Sequence, residues 1–185
     1  MSIAPSFSQR TSPRSVMGFT VIELMVVVAI TAILAGLAAP SFIDSFRRFR
    51  VDTVRDVMQG SITLARIEAV RTSQPVVIRR NVGCGVLLAN EWNCGWQVFV
   101  DTNGDNILNG ADRQIQLVEG QNQTVIRKAN VVNPDFLVLD RLGNITQFGQ
   151  RFEFFPTGLT AAQGQLLCFT TGTRVRVVRN ASACP

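Results

Sequence analysis

An α+β fold is expected: one long N-terminal helix carrying a C-terminal antiparallel β-sheet domain. Three observations lead there. Phe19 to Ile43 forms an apolar run of 25 residues with a single charge, Glu23. From Asp44 to about Arg71 apolar residues recur at helical spacing among charges, and after Gln74 the pattern changes to short β-rich runs punctuated by Gly, Asn and Pro.

Ahead of the apolar run lies MSIAPSFSQRTSPRSVMG, residues 1–18, rich in Pro and Ser and charged only at Arg10 and Arg14. It reads as a leader and not as folded structure. The run itself, residues 19–43, is long enough to span a bilayer as a helix at ~1.5 Å per residue. A secretory signal has a shorter apolar core, about 7 to 15 residues, and a small-residue cleavage site that Ala39-Pro40 does not supply. A plain single-pass anchor leaves Glu23 unexplained, because a charge in a spanning helix costs roughly 2.5–3.5 kcal/mol at the centre and less near an end, so a partner for it is expected. Gly36 and Pro40 weaken the helix, and a kink or a locally melted stretch is expected between them. Beyond the span, Arg47, Arg48 and Arg50 outnumber Arg10 and Arg14, opposite to the usual cytoplasmic bias of basic residues.

Residues 44–73 continue the helix as an amphipathic segment. Phe46, Phe49, Val54, Val57, Leu64, Ala65 and Ala69 make an approximate stripe, expected to pack on the sheet that follows. Residues 74–185 form the β-rich domain, with β-rich runs at 75–80, 85–88, 95–100, 114–117, 124–127, 136–139, 152–155, 165–170 and 174–178.

The chain has no His, which removes Ser-His and Cys-His nucleophile pairs and most catalytic zinc sites. No acid/base pair or phosphate-binding loop stands out, so neither catalysis nor a cofactor is expected. Cys84, Cys94, Cys168 and Cys184 are even in number and lack the close pairing of a zinc site. Disulfides in an oxidising compartment fit them, which places the β domain outside the cytoplasm despite the arginine count. Of three connectivities, Cys84 with Cys94 and Cys168 with Cys184 are favoured because each closes a short loop. The formal charge is +5, and 17 of the 18 basic residues are Arg, suited to fork-like pairing with carboxylate or phosphate.

Asp101 to Asp112 carries oxygen donors at Asp101, Asn103, Asp105, Asn109 and Asp112, the spacing of a calcium loop. Asn106 stands where Gly is wanted and Asp112 where a bidentate Glu is usual. A hairpin turn with self-capping Asp and Asn side chains is the expected reading, with calcium at Asp101, Asn103, Asp105 and Asp112 the alternative.

Met17-Gly18-Phe19-Thr20-Val21-Ile22-Glu23-Leu24 resembles the processing motif of type IV pilins and pseudopilins, G-F-T-[LV]-[IV]-E-[LV]. The resemblance implies cleavage by a membrane prepilin peptidase between Gly18 and Phe19, N-methylation of Phe19, and assembly with other pilins or pseudopilins. Cleavage makes an amine at Phe19, and Glu23 is the nearest carboxylate able to neutralise the amine of an incoming subunit. Ala65-Arg66-Ile67-Glu68-Ala69 followed by Gln74-Pro75-Val76 is similar to a signature of the minor-pilin group that includes GspH, FimU and FimT, and Trp96 to Asp105 matches a turn of that group. This implies a pilin-like fold, a single pass through the bacterial inner membrane with a periplasmic C-terminal domain, and display outside the cell in a pilus.

Gly172-Thr173-Arg174-Val175-Arg176 resembles, with one extra residue, the G-R-x-R element that FimT-like pilins use for DNA in natural transformation. Arg174, Arg176 and Arg179 are therefore candidate DNA contacts, and 174 and 176 share one face of a strand. Two roles follow: a minor pilin in or near the tip of a type IV pilus, with DNA as a candidate ligand, or a GspH-like minor pseudopilin of a type II secretion system.

Overall fold

The computed structural model describes residues 18–85, 88–129, 133–147, 149–170 and 174–185, with side chains for all of these except 38–41. The leader up to Met17, and Gly172-Thr173 ahead of the C-terminal arginines, lie outside the described residues. Two compact units meet between Phe42 and Ile43.

Helix α1 spans Val21–Thr72 and stays helical through Gly36 and Pro40, where a melted stretch was among the expectations. A proline in a helix forfeits one backbone bond at about 3 kcal/mol, and the helix continues on both sides of it. In the N-terminal unit every described side chain from Gly18 to Leu37 is exposed, although nearly all are apolar. Among the described residues no single helix is long and apolar enough to cross a membrane. Val21–Leu37 alone reaches only ~25 Å against a hydrocarbon core of ~30 Å, and it meets the requirement only together with Phe42–Thr72.

In the second unit α1 presents Val51, Val54, Met58, Ile62, Ala65 and Ala69 to the core, at steps of three and four residues. This face is rotated from the stripe read in the sequence. Phe46 and Phe49 are exposed at 62% and 67%, and Val57 lies at the edge, because Val51 is the first residue that the sheets cover. Burial of Val51, Val54, Met58 and Ile62 stabilises the packing by roughly 1.5–3 kcal/mol per side chain.

Ser73 takes a left-handed φ of 54° just past the helix, and Pro75 then keeps the chain extended. Eight strands follow: β1 Val76–Arg80, β2 Trp96–Val100, β3 Arg113–Val118, β4 Thr124–Ala129, β5 Phe136–Leu139, β6 Arg151–Pro156, β7 Gln165–Phe169 and β8 Val175–Arg179. Eight of the nine β-rich runs are thus strands. The ninth, 85–88, falls partly outside the described residues, and neither Gly85 nor Leu88 is in a strand. The strands form two antiparallel sheets, ordered β3-β2-β1-β5 and β4-β6-β7-β8. In the first, Val76 lies opposite Val100 and Leu139, and Ile78 opposite Val98 and Leu137, which gives one continuous apolar face. In the second, Ile126 faces Phe154 across β4 and β6, and Phe152 faces Leu167. Both apolar faces and the helix share one core, in which Trp92 meets Phe152 edge-on with ring centres 4.8 Å apart. Trp96 Nε1 donates to Ser61 Oγ at 2.9 Å and Ser61 donates to Gln116 Oε1 at 2.7 Å, so the indole N–H and the hydroxyl buried between helix and sheet are satisfied.

Candidate functional site

At the start of α1, Glu23 accepts a hydrogen bond from the Thr20 backbone N–H at 3.4 Å, and the Glu23 N–H donates to Thr20 Oγ1 at 3.3 Å. This reciprocal pair is a capping box, whose T-x-x-E spacing is plain in Thr20-Val21-Ile22-Glu23 and was missed in the sequence reading. The box holds the Glu23 carboxylate toward the chain just after Gly18 and Phe19. Both bonds are long and exposed, so the carboxylate is only loosely committed.

At the other end of α1 the signature residues have mechanical roles. Arg66 Nε donates to the Gly143 carbonyl at 3.0 Å. Gly143 has φ +77°, and a Cβ there would sit 2.5 Å from Arg66 Cγ and 3.3 Å from the Arg66 carbonyl oxygen. Glu68, 7% exposed, accepts from Arg71 at 2.6 and 2.8 Å and also from Arg113 of β3. These hydrogen bonds, Arg71 first, hold the Glu68 carboxyl down to about 2.

The 101–112 loop converges three carboxylates, Asp101, Asp105 and Asp112, with one oxygen of each within 4.8 Å of the others. Each is already engaged. Asp101 accepts from the N–H groups of Gly104 and Asn106, Asp105 from Ile107 N–H, and Asp112 from the N–H groups of Thr102 and Asn109. Asn106 adopts φ 60°, the conformation that Gly supplies in a calcium loop. Asn103 is spent within the loop as well, its side chain accepting from Asp105 N–H and donating to the Asp105 carboxylate. The loop's own N–H groups thus cap the carboxylates that converge in it.

The disulfides are Cys84–Cys94 and Cys168–Cys184. The second ties the C-terminal tail to β7, next to the candidate arginines. β8 pairs with β7 so that Arg176 lies opposite Cys168, and Cys168 lies opposite Arg151 on β6. Arg151 is neutralised by Glu153 at 2.8 Å. Arg174 and Arg176 are exposed on the outer face, and among the described residues neither has an ion-pair partner. Val175 packs against the core, and strand alternation puts Arg179 on the same side as Val175 although its side chain stays largely exposed. Arg179 accordingly stands on the opposite side from Arg174 and Arg176, 3.4 Å from Asp52 on α1. Asp52 also accepts from Arg55 at 2.8 Å and from Gln165 at 2.7 Å.

A buried cation also escaped the sequence reading. Lys128, the one lysine of the chain, is fully buried, and its ammonium donates to the carbonyls of Asn133 and Phe136 and to Gln147 Oε1. Burial pushes it down to about 7, with the Asp135 carboxylate opposing. Asp135 is itself paired with Arg80 at 2.6 Å.

Comparison with known proteins fits this architecture. The family model described as type II transport protein GspH matches residues 56–183. The pilin-like protein PilA1 of Thermus thermophilus is 34% identical over 88 residues, 48% of this chain and 50% of that protein, so the chain spans about half the length of this relative. Two crystal structures of the type IV minor pilin FimU from Pseudomonas aeruginosa share the fold, each with a TM-score of 0.54, at 16% and 15% identity. They cover 72% and 76% of this chain, and 96% and 94% of their own.

Proposed function

Since the chain belongs to the GspH family of type IV pilin-like proteins, whose members are filament subunits and not known as enzymes, we propose that it is a minor pilin carried in or near the tip of a type IV pilus. The observation that carries this reading is the N-terminal third of α1, exposed and largely apolar over Val21–Leu37 and charged only at Glu23. Such a surface is stable only in lipid or among like helices. The leader is removed between Gly18 and Phe19, Phe19 is methylated, and the domain is held on the periplasmic side of the inner membrane until assembly. Glu23 then neutralises the amine of a neighbouring subunit in low dielectric. Mass spectrometry of assembled material is expected to find a mature N-terminus at Phe19. Glu23→Ala is expected to insert and be cleaved yet enter filaments poorly. A different mature start, or normal incorporation of the variant, counts against the mechanism. The alternative setting, a type II secretion pseudopilus, uses the same parts.

A second reading, DNA capture, is favoured by Arg176 on the edge strand β8 and Arg174 just ahead of it, both exposed and without ion-pair partners among the described residues. Contacts of this kind are sequence-tolerant and salt-sensitive. Arg174→Gln with Arg176→Gln is expected to lower affinity for duplex DNA and flatten the salt slope by up to about two units. Equal binding by variant and parent returns these arginines to a solvated face.

A further inference from the structure

Immediately after the apolar run, the second unit opens a groove of about 450 Å³ between α1 and the turn that follows β6. α1 lines it with Ile43, Phe46, Arg47 and Arg50, apolar and cationic side chains together, and Pro156 and Thr157 line it from the end of β6, with Gln123 beside them. Among the described residues no carboxylate lines it. Arg47 does reach Asp44 at 3.6 Å, but both side chains are at least half exposed, and such pairs contribute at most about 1 kcal/mol. Among the described residues Arg50 has no ion-pair partner. The adjoining cleft, which Arg47 also lines, differs in carrying two carboxylates, Asp44 and Asp52, beside Arg48 and Arg179, with Arg179 3.4 Å from Asp52.

We propose that the Arg47/Arg50 groove binds the phosphate of an anionic phospholipid headgroup while Ile43 and Phe46 rest against the upper part of the acyl chains. The chemistry matches on two counts: guanidinium forks suit a phosphodiester, and exposed aromatic and aliphatic side chains beside long cationic stems suit the interfacial zone. Position matches as well, because Arg47 lies one helical turn beyond Ile43, the last residue of the apolar run. The groove also accounts for the arginine excess on the exported flank, which runs against the usual topological bias and needs a compensating contact there. The inference rests on the membrane-anchored reading above.

The full-length protein in mild detergent, offered equal phosphatidylglycerol and phosphatidylcholine, is the test, read by native mass spectrometry of retained lipid. Preferential retention of phosphatidylglycerol is expected. Each basic residue near an anionic surface contributes on the order of fivefold, so Arg47→Gln with Arg50→Gln should cut the preference roughly 25-fold, while Arg174→Gln with Arg176→Gln should leave it in place. Equal retention of both lipids by the parent, or an undiminished preference in the first double variant, overturns the site. Displacement of the bound lipid by inorganic phosphate or by short duplex DNA at matched phosphate reassigns the groove and likewise overturns it. Flotation with phosphatidylcholine vesicles separates the two levels: a parent chain that fails to float refutes the anchoring, whereas one that floats without headgroup preference refutes only the groove.

Discussion

The chain has no His and no Tyr, its four cysteines are paired, and Lys128 is its one lysine, so between about pH 6 and pH 10 a single side chain titrates, together with the terminal amine. That side chain is fully buried. With the folded Lys128 at about 7 and an unfolded lysine near the ordinary 10.5, the unfolded chain binds more protons than the folded one between those values, and stability must rise with pH across that window. At about pH 7 the folded group is half deprotonated, and by about pH 9 almost wholly so. Each pH unit is then worth up to about 1.4 kcal/mol, and the gain between the two is about 2 kcal/mol. Urea unfolding of the full chain in a non-ionic detergent, followed by fluorescence of the buried Trp92 and Trp96, reads this directly. Lys128→Met is the control, expected to abolish the slope. A profile that is flat or falling from pH 7 to 9 refutes the reasoning, and means that three carbonyl acceptors hold the ammonium as well as water does. A slope that persists in Lys128→Met refutes it too.

Replacing Cys168 and Cys184 by Ser releases a tether of 16 residues and is expected to lower stability by about 3 kcal/mol on the loop-entropy scale. The non-reduced parent and the variant compared by denaturant titration measure it. Gly143→Ala forces a left-handed alanine against the Arg66 side chain and carbonyl, and an unfolding midpoint lowered by roughly 2 kcal/mol is expected, with Arg66→Ala recovering part of the loss by clearing the nearest atom.

The apolar run and the strands were legible because each leaves a local trace: twenty-odd residues without paired charge, or a short β-branched run closed by Gly, Asn or Pro. The buried face of α1 was not. Apolar residues occur all round the helix between Phe46 and Val70, and Ile67 and Val70 are exposed at more than half, so only the sheets select Val51, Met58 and Ile62. The local disulfide pairing was readable from loop length. The split of the C-terminal arginines was half readable, since strand alternation already separates 174 and 176 from 179. Asp52 as the partner of Arg179 comes from 127 residues away and leaves no local trace. Lys128 was the least visible: two of its acceptors, the Asn133 and Phe136 carbonyls, lie close in the sequence, but backbone carbonyls carry no residue signature.

The capping box at Thr20 and Glu23 gives one carboxylate two claimants. In an isolated subunit it completes the first turn of α1. Under the assembly role proposed above it would serve a neighbour's amine, and the turn would then surrender one of its N–H partners. Because a capping interaction is worth only about 1 kcal/mol and both bonds here are long, the exchange is nearly free, whereas an amine left unpaired in lipid costs several times more. On that proposal helix start and subunit docking would trade a single bond between them, and the N-terminal turn would be at its loosest when its carboxylate is most needed elsewhere.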